Sequence, residues 1–146
     1  MTPYALELRE SLSLWLPKDL PQHSYIVDPF VGMFDSPDGE RSPTPGVLLK
    51  VPIKRFHDAW LPTQQGQCFL AGDFGDCDVM KLIRAARYLA HARDGVWAPT
   101  LSRVHSDDSF VIVQGRHRFM FHWLAGYEYI DVAVNPLHLQ YFEGLF

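Results

Sequence analysis

Gly115 is followed directly by Arg116, His117 and Arg118, inside the stretch VQGRHRFMFHW. An apolar strand-like run, Phe110 to Val113, leads into the glycine, and a helical pattern leads out of it. A helix start leaves backbone N–H groups without intrahelical acceptors, and the helix dipole makes that end positive. Glycine lets a backbone come close to a ligand. Arg118 can fork onto phosphate oxygens. His117 can donate a hydrogen bond or act as an acid–base group near neutral pH. Together these residues describe a pocket for a phosphate or nucleotide. They equally describe a structural strand-to-helix turn with exposed bases, and spacing alone does not separate the two.

Other chemistry-bearing residues give weaker patterns. His117 and His122 are five apart and do not share a helix face, which argues against a zinc pair. His105 with Asp107 and Asp108 is a candidate metal or acid–base cluster, but HSDDS is also ordinary turn chemistry. Gly72, Asp73, Gly75, Asp76 and Asp78 make an oxygen-rich loop without the ligand order of an EF-hand. Cys68 and Cys77 have neither CxxC nor Cys/His metal spacing, and two ordinary thiols are expected. No metal site is expected.

The elements that position these groups follow from pattern. The chain has 146 residues, 47% of them hydrophobic, which suits one domain with one core. No apolar run reaches the ~20 residues of a membrane span. The start, MTPYALELRESLSLWLP, lacks the form of a signal peptide. A cytoplasmic protein is therefore expected. Residues 3–15 suggest a short helix and YIVDPFVGMF an edge or bent strand. DSPDGERSPTPG is a flexible loop. Residues 46–56 read as a strand running into a loop, and a further short strand is expected at Cys68–Ala71. The spacing of Val79, Leu82, Ile83, Ala86, Leu89 and Ala90 predicts a helix capped by Asp78 and stopped at Gly95. A strand hairpin, the glycine turn, a helix ending at Gly126 and a last strand stopped by Pro136 complete the pattern. The fold class is α+β. The tail LHLQYFEGLF is apolar enough to pack back on the body or to join a dimer contact.

Charge is uneven. The net charge is −4, which argues against tight DNA binding by the whole surface. Residues 79–118 carry seven bases (Lys81, Arg84, Arg87, Arg93, Arg103, Arg116, Arg118) and three acids (Asp94, Asp107, Asp108), a balance of +4. The chain totals of 13 bases and 17 acids leave six and fourteen for the rest, a balance of −8. A basic region on an acidic body fits a local anion site. The bases on the 79–91 helix also suit a plain solvated face.

FVIVQGRHRFMFHWLAGYEYIDVAV resembles the core of the ParB/sulfiredoxin-like superfamily: an apolar strand, Gly-x-(His/Arg)-Arg, a helix ending in (Ala/Leu)-Gly, and a strand. DGVWAPTLSRV resembles the family's passage from a helix through a proline into a strand, and VPIKRF its first strand. The resemblance implies a compact mixed sheet flanked by helices in a single domain spanning 47–136. An N-terminal extension, 1–46 with its flexible loop 35–46, precedes it, and the apolar tail 137–146 follows. It implies that Gln114, Gly115, Arg116, His117 and Arg118 hold phosphates, with Lys81 and Arg84 contributed by the preceding helix. His57 and Asp58 would then border the glycine turn, with His105 a further second-rank candidate.

Members of the superfamily differ in function, and the departures discriminate among them. The sulfiredoxin cysteine position matches Arg116, which argues against sulfinic-acid reduction. The partitioning ParB glutamate position also matches Arg116, and neither a second arginine box nor a helix-turn-helix region follows. Gly115, His117 and Arg118 match the free-serine kinases, whereas Gln114 replaces their aspartate. The expectation is a nucleotide- or phosphate-binding protein taking ATP or CTP, with Mg2+ if the nucleotide requires it. Weak phosphotransfer or hydrolysis through His117 would be an added activity. The alternative is a non-enzymatic phage- or plasmid-type protein whose acidic surface binds a basic host protein and modulates a host nucleic-acid system. A nuclease or DNA-modification accessory ranks third.

Overall fold

The structure, a computed structural model, describes residues 3–15, 23–29, 33–34, 44–71, 79–92 and 95–146. The expected Asp78 cap, the 72–78 acidic loop, Cys77, Arg93, Asp94 and most of the 35–46 loop lie outside these residues.

The chain forms one α+β unit around a four-stranded mixed sheet. Its strands are β4 (Val47–Pro52), β6 (Thr100–Val104), β7 (Ser109–Gln114) and β8 (Tyr129–Val134), in the order β4-β8-β6-β7. β4 runs antiparallel to β8, from Val47 opposite Val134 to Pro52 opposite Tyr129. β6 runs parallel to β8 and antiparallel to β7. Among the described residues four short strands lie outside this sheet. β1 (Tyr25–Ile26) pairs in parallel with β5 (Val96–Trp97), and β2 (Met33–Phe34) pairs with β3 (Thr44–Pro45).

The helices are α1 (Pro3–Ser11), α2 (Ile53–Trp60), α3 (Gln64–Ala71), α4 (Val79–His91), α5 (Arg116–Ala125) and α6 (Leu139–Leu145). Alternation in β7 sends Phe110 and Ile112 inward. Ile53, Phe56 and Trp60 of α2 recur at helical spacing and are buried. Phe56 and Trp60 meet Phe119 of α5, with ring centroids 4.4 Å and 5.6 Å from it. The apolar tail packs back: Phe142 is buried, and Phe146 stacks on Phe56 at 5.2 Å. Leu8 and Leu12 of the N-terminal segment enter the same core, while Leu14 is exposed.

Two stretches differ from the sequence expectation. Residues 53–60 are helical where a loop was expected, because Pro52 is extended and the next residues present an apolar stripe. Cys68–Ala71 belongs to helix α3 and is not a strand. Phe69 there is buried against Trp60 at 5.4 Å, so tertiary packing overrides a weak local pattern. In α4, Leu82, Ala86 and Leu89 are buried as expected, but Ala90 is exposed.

One polar device protects the outer edge of β7. The Gln65 amide accepts from the Ile112 N–H at 2.7 Å and donates to the Ile112 carbonyl at 3.0 Å. Its oxygen also accepts from the Trp60 indole at 2.9 Å. A side chain thus occupies the place of a neighbouring strand.

Candidate functional site

Gly115 ends β7 and starts α5 in the left-handed conformation, with φ 98°. That value favours glycine. A Cβ here would lie 2.9 Å from Pro99 Cα. The Pro99 backbone is a close neighbour that this glycine accommodates. The glycine is required by the turn, and the turn aims the first residues of α5 outward. Gly115 offers no side-chain cap, and the first intrahelical bond runs from the Phe119 N–H to the Gly115 carbonyl at 2.9 Å. The helix itself therefore supplies no acceptor for the N–H groups of 116–118.

These residues open on a cavity of about 480 Å³. Gln114, Gly115, Arg116, His117 and Arg118 line it, together with Lys81 and Arg84 of α4. Every residue expected to hold phosphate from sequence thus lines one cavity. Ala85, Tyr88, Trp97 and Val113 give it an apolar and aromatic side. Among the described lining residues the charged side chains are all basic. Lys81 and Arg84 are exposed, while Arg116, His117 and Arg118 are half-buried. Phe69 supports two of them: the His117 ring meets it edge-on at 5.2 Å, and the Arg116 guanidinium lies 5.9 Å from its centre. Arg87 faces elsewhere, over the Trp15 ring at 4.8 Å.

Arg118 is held by two neighbouring elements. Its guanidinium donates to the Trp97 carbonyl and lies 5.7 Å from the centre of the Tyr88 ring. The Tyr88 hydroxyl in turn accepts from the Trp97 N–H at 2.9 Å. Burial pulls the Arg118 pKa below its ordinary value, and the neighbouring Tyr88 and Asp28 push it back up. Asp28 is 1% exposed, a buried carboxylate that the sequence argument did not single out.

A second polar group lies behind this wall. His122 is fully buried. Its Nδ1 is 2.6 Å from the Arg118 carbonyl and its Nε2 is 2.8 Å from the Tyr25 hydroxyl. A carbonyl only accepts, so Nδ1–H donates to it and Nε2 accepts from the Tyr25 O–H. Burial lowers the His122 pKa to about 4. His23 and Tyr127 join the cluster through a 3.0 Å contact, and burial pushes Tyr127 up to about 12. Residues 23–28 are thereby strapped to α5, and also to β5, where Val96 N–H donates to the Ser24 carbonyl at 2.7 Å.

The second-rank candidates fall elsewhere. His57 and Asp58 were expected beside the glycine turn and do not line the cavity. His57 stacks on Trp123, with centroids 4.1 Å apart. Trp123 lies seven residues beyond Arg116, about 10 Å along the helix axis at ~1.5 Å per residue. The cause is the helical course of 53–60, which carries His57 against the flank of α5. Burial lowers the His57 pKa, opposed by Asp58 at 3.9 Å. His105 sits on the β6–β7 turn and packs edge-on against His138 at 5.1 Å, while Asp108 pairs with Arg103 at 3.0 Å. No cluster of three or more His, Cys, Asp or Glu suited to a metal occurs among the described residues. Of the aromatic residues near the site, Phe119 and Phe121 of α5 are buried. Trp97 is half-buried and lines the cavity, and Trp123 is half-buried beneath His57.

Comparison with protein-family models, with curated proteins and with solved structures finds no match. Among the described residues no helix is long and apolar enough to cross a membrane. The class defined by fold and site is an α+β domain with a basic cavity at a helix N-terminus.

Proposed function

We propose that this chain binds a nucleotide or another phosphorylated anion in the cavity before α5, consistent with its resemblance to the ParB/sulfiredoxin-like superfamily. The observation that carries the reading is convergence. Lys81 and Arg84 are more than thirty residues from Arg116 and Arg118 in sequence, yet all four bases line one cavity with the α5 N-terminus. Basic groups gathered from two helices and a positive helix end stabilise an anion among them. A single phosphate would not span about 480 Å³. A nucleotide such as ATP or CTP would, with its phosphates on the basic walls and its base toward Trp97 and Val113. His117 is the group placed to exchange a proton at a bound phosphate, which is the route to weak transfer or hydrolysis.

The test is calorimetric titration of ATP, CTP and pyrophosphate, with and without Mg2+, on wild type and on a Lys81→Ala/Arg84→Ala double variant. Both side chains are exposed, so their loss leaves the core intact. Binding weakened by about tenfold or more in the variant supports the reading, since each charged hydrogen bond contributes ~1.5–3 kcal/mol at most. Absence of binding to folded wild type overturns it.

A further inference from the structure

Arg118 reaches the cavity wall through contacts that do not involve a ligand, and one side chain organises them. Tyr88 stands on α4, two helical turns beyond Lys81 and one beyond Arg84. Its hydroxyl accepts the Trp97 N–H at 2.9 Å. The carbonyl of that same Trp97 accepts from the Arg118 guanidinium. The guanidinium also lies near the Tyr88 ring, 5.7 Å from its centre. Tyr88 therefore fixes the residue that anchors Arg118 and contributes a ring surface that the guanidinium approaches. A single side chain ties together three of the elements that line the cavity: α4, β5 and α5.

A guanidinium has five N–H donors in a rigid fork. One of them goes to Trp97 O, and that bond sets the direction of the rest. An arginine on an exposed stem would lose rotamer freedom on meeting an anion. One already fixed by protein contacts loses less, which is the gain of preorganisation. We infer that Tyr88 is a positioning residue: through the Trp97 peptide and its own ring it holds the Arg118 guanidinium in the orientation used to bind an anion. The inference rests on the proposed anion site for its purpose. The holding itself is a property of the unliganded chain.

The test uses the full chain and Tyr88→Phe, which keeps the ring and removes the hydroxyl. The first readout needs no ligand. The Arg118 guanidinium Nη–H signal, from the group that bonds the Trp97 carbonyl, is assigned by its disappearance in Arg118→Lys, and its exchange with water is followed by NMR. In wild type the signal persists. In Tyr88→Phe its exchange accelerates by about tenfold, the equivalent of one lost hydrogen bond. Tyr88→Leu, lacking ring and hydroxyl, serves as a second variant and accelerates it further. Unchanged exchange in both variants overturns the inference.

The second readout is a double-mutant cycle on pyrophosphate affinity. Tyr88→Phe weakens binding about fivefold in wild type and has no further effect in Arg118→Lys, whereas it adds to the effect of Arg84→Ala. Equal weakening with and without Arg118 would mean a general structural effect and overturn the inference. If wild type binds no anion, the proposed function fails by itself. The exchange measurement then still decides whether Tyr88 holds Arg118.

Discussion

Acid should destabilise this protein through His122, and the size of the effect follows from its environment. The imidazole is fully buried, donates from Nδ1 to the Arg118 carbonyl and accepts at Nε2 from Tyr25. It is neutral in the folded state, with its pKa lowered from 6.5 to about 4, chiefly by burial. In the unfolded chain it protonates near 6.5. Between those values the unfolded state binds a proton that the folded state does not, so stability rises with pH. The His122 contribution is complete above pH 6.5 and is lost as pH falls toward 4. The full difference, about 2.5 pH units, corresponds to about 3 kcal/mol, and about 2 kcal/mol of it is gone by pH 5.

His23 and His57 are lowered as well and contribute with the same sign, so wild type alone does not isolate the effect. His122→Gln does: its amide can donate to Arg118 O and accept from Tyr25, and it does not titrate. Urea denaturation of both proteins at pH 8, 6 and 5 gives the comparison. Wild type is the more stable at pH 8, and its advantage shrinks by about 2 kcal/mol at pH 5. A difference that stays constant with pH would refute the reasoning.

Two further substitutions test the framework around the cavity. Gln65→Leu leaves the Trp60 indole N–H and both Ile112 backbone groups without their partner. It should lower stability by about 2–4 kcal/mol in chemical denaturation and promote association through the uncovered β7 edge, visible in light scattering. Gly115→Ala requires a left-handed alanine and brings a Cβ within 2.9 Å of Pro99 Cα. A loss of about 2 kcal/mol or more is expected, together with weaker anion binding because the α5 N-terminus must shift.

The sequence carried the local parts of this structure well and the distant parts poorly. The glycine turn was legible because a positive φ, a helix start and a preceding apolar strand are all encoded within a dozen residues. Helix α4 was legible from its periodic apolar face. Lys81 and Arg84 came from the resemblance, since no local pattern joins them to residue 115. Helix α2 was missed although its signal was present: Ile53, Phe56 and Trp60 fall on one face after an extended proline. The placement of His57 failed with it. Helix α3 gives little signal of its own, with Gly66 inside it and Phe69 as its buried anchor. Tyr25 and His122 meet across 97 residues, and His23 and Tyr127 across 104. Such pairs carry no spacing rule, which is why the strap behind the cavity and the buried Asp28 escaped notice.

The most direct test of the anion-site account is the titration of ATP, CTP and pyrophosphate against folded wild type and Lys81→Ala/Arg84→Ala. Arg118→Ala is the poorer probe, because Arg118 also bonds the Trp97 carbonyl and its loss disturbs the wall. The account predicts micromolar binding by at least one of these anions, weakened about tenfold or more in the double variant and weakened again by added salt. No heat of binding from any of them, or equal binding by the double variant, would contradict it.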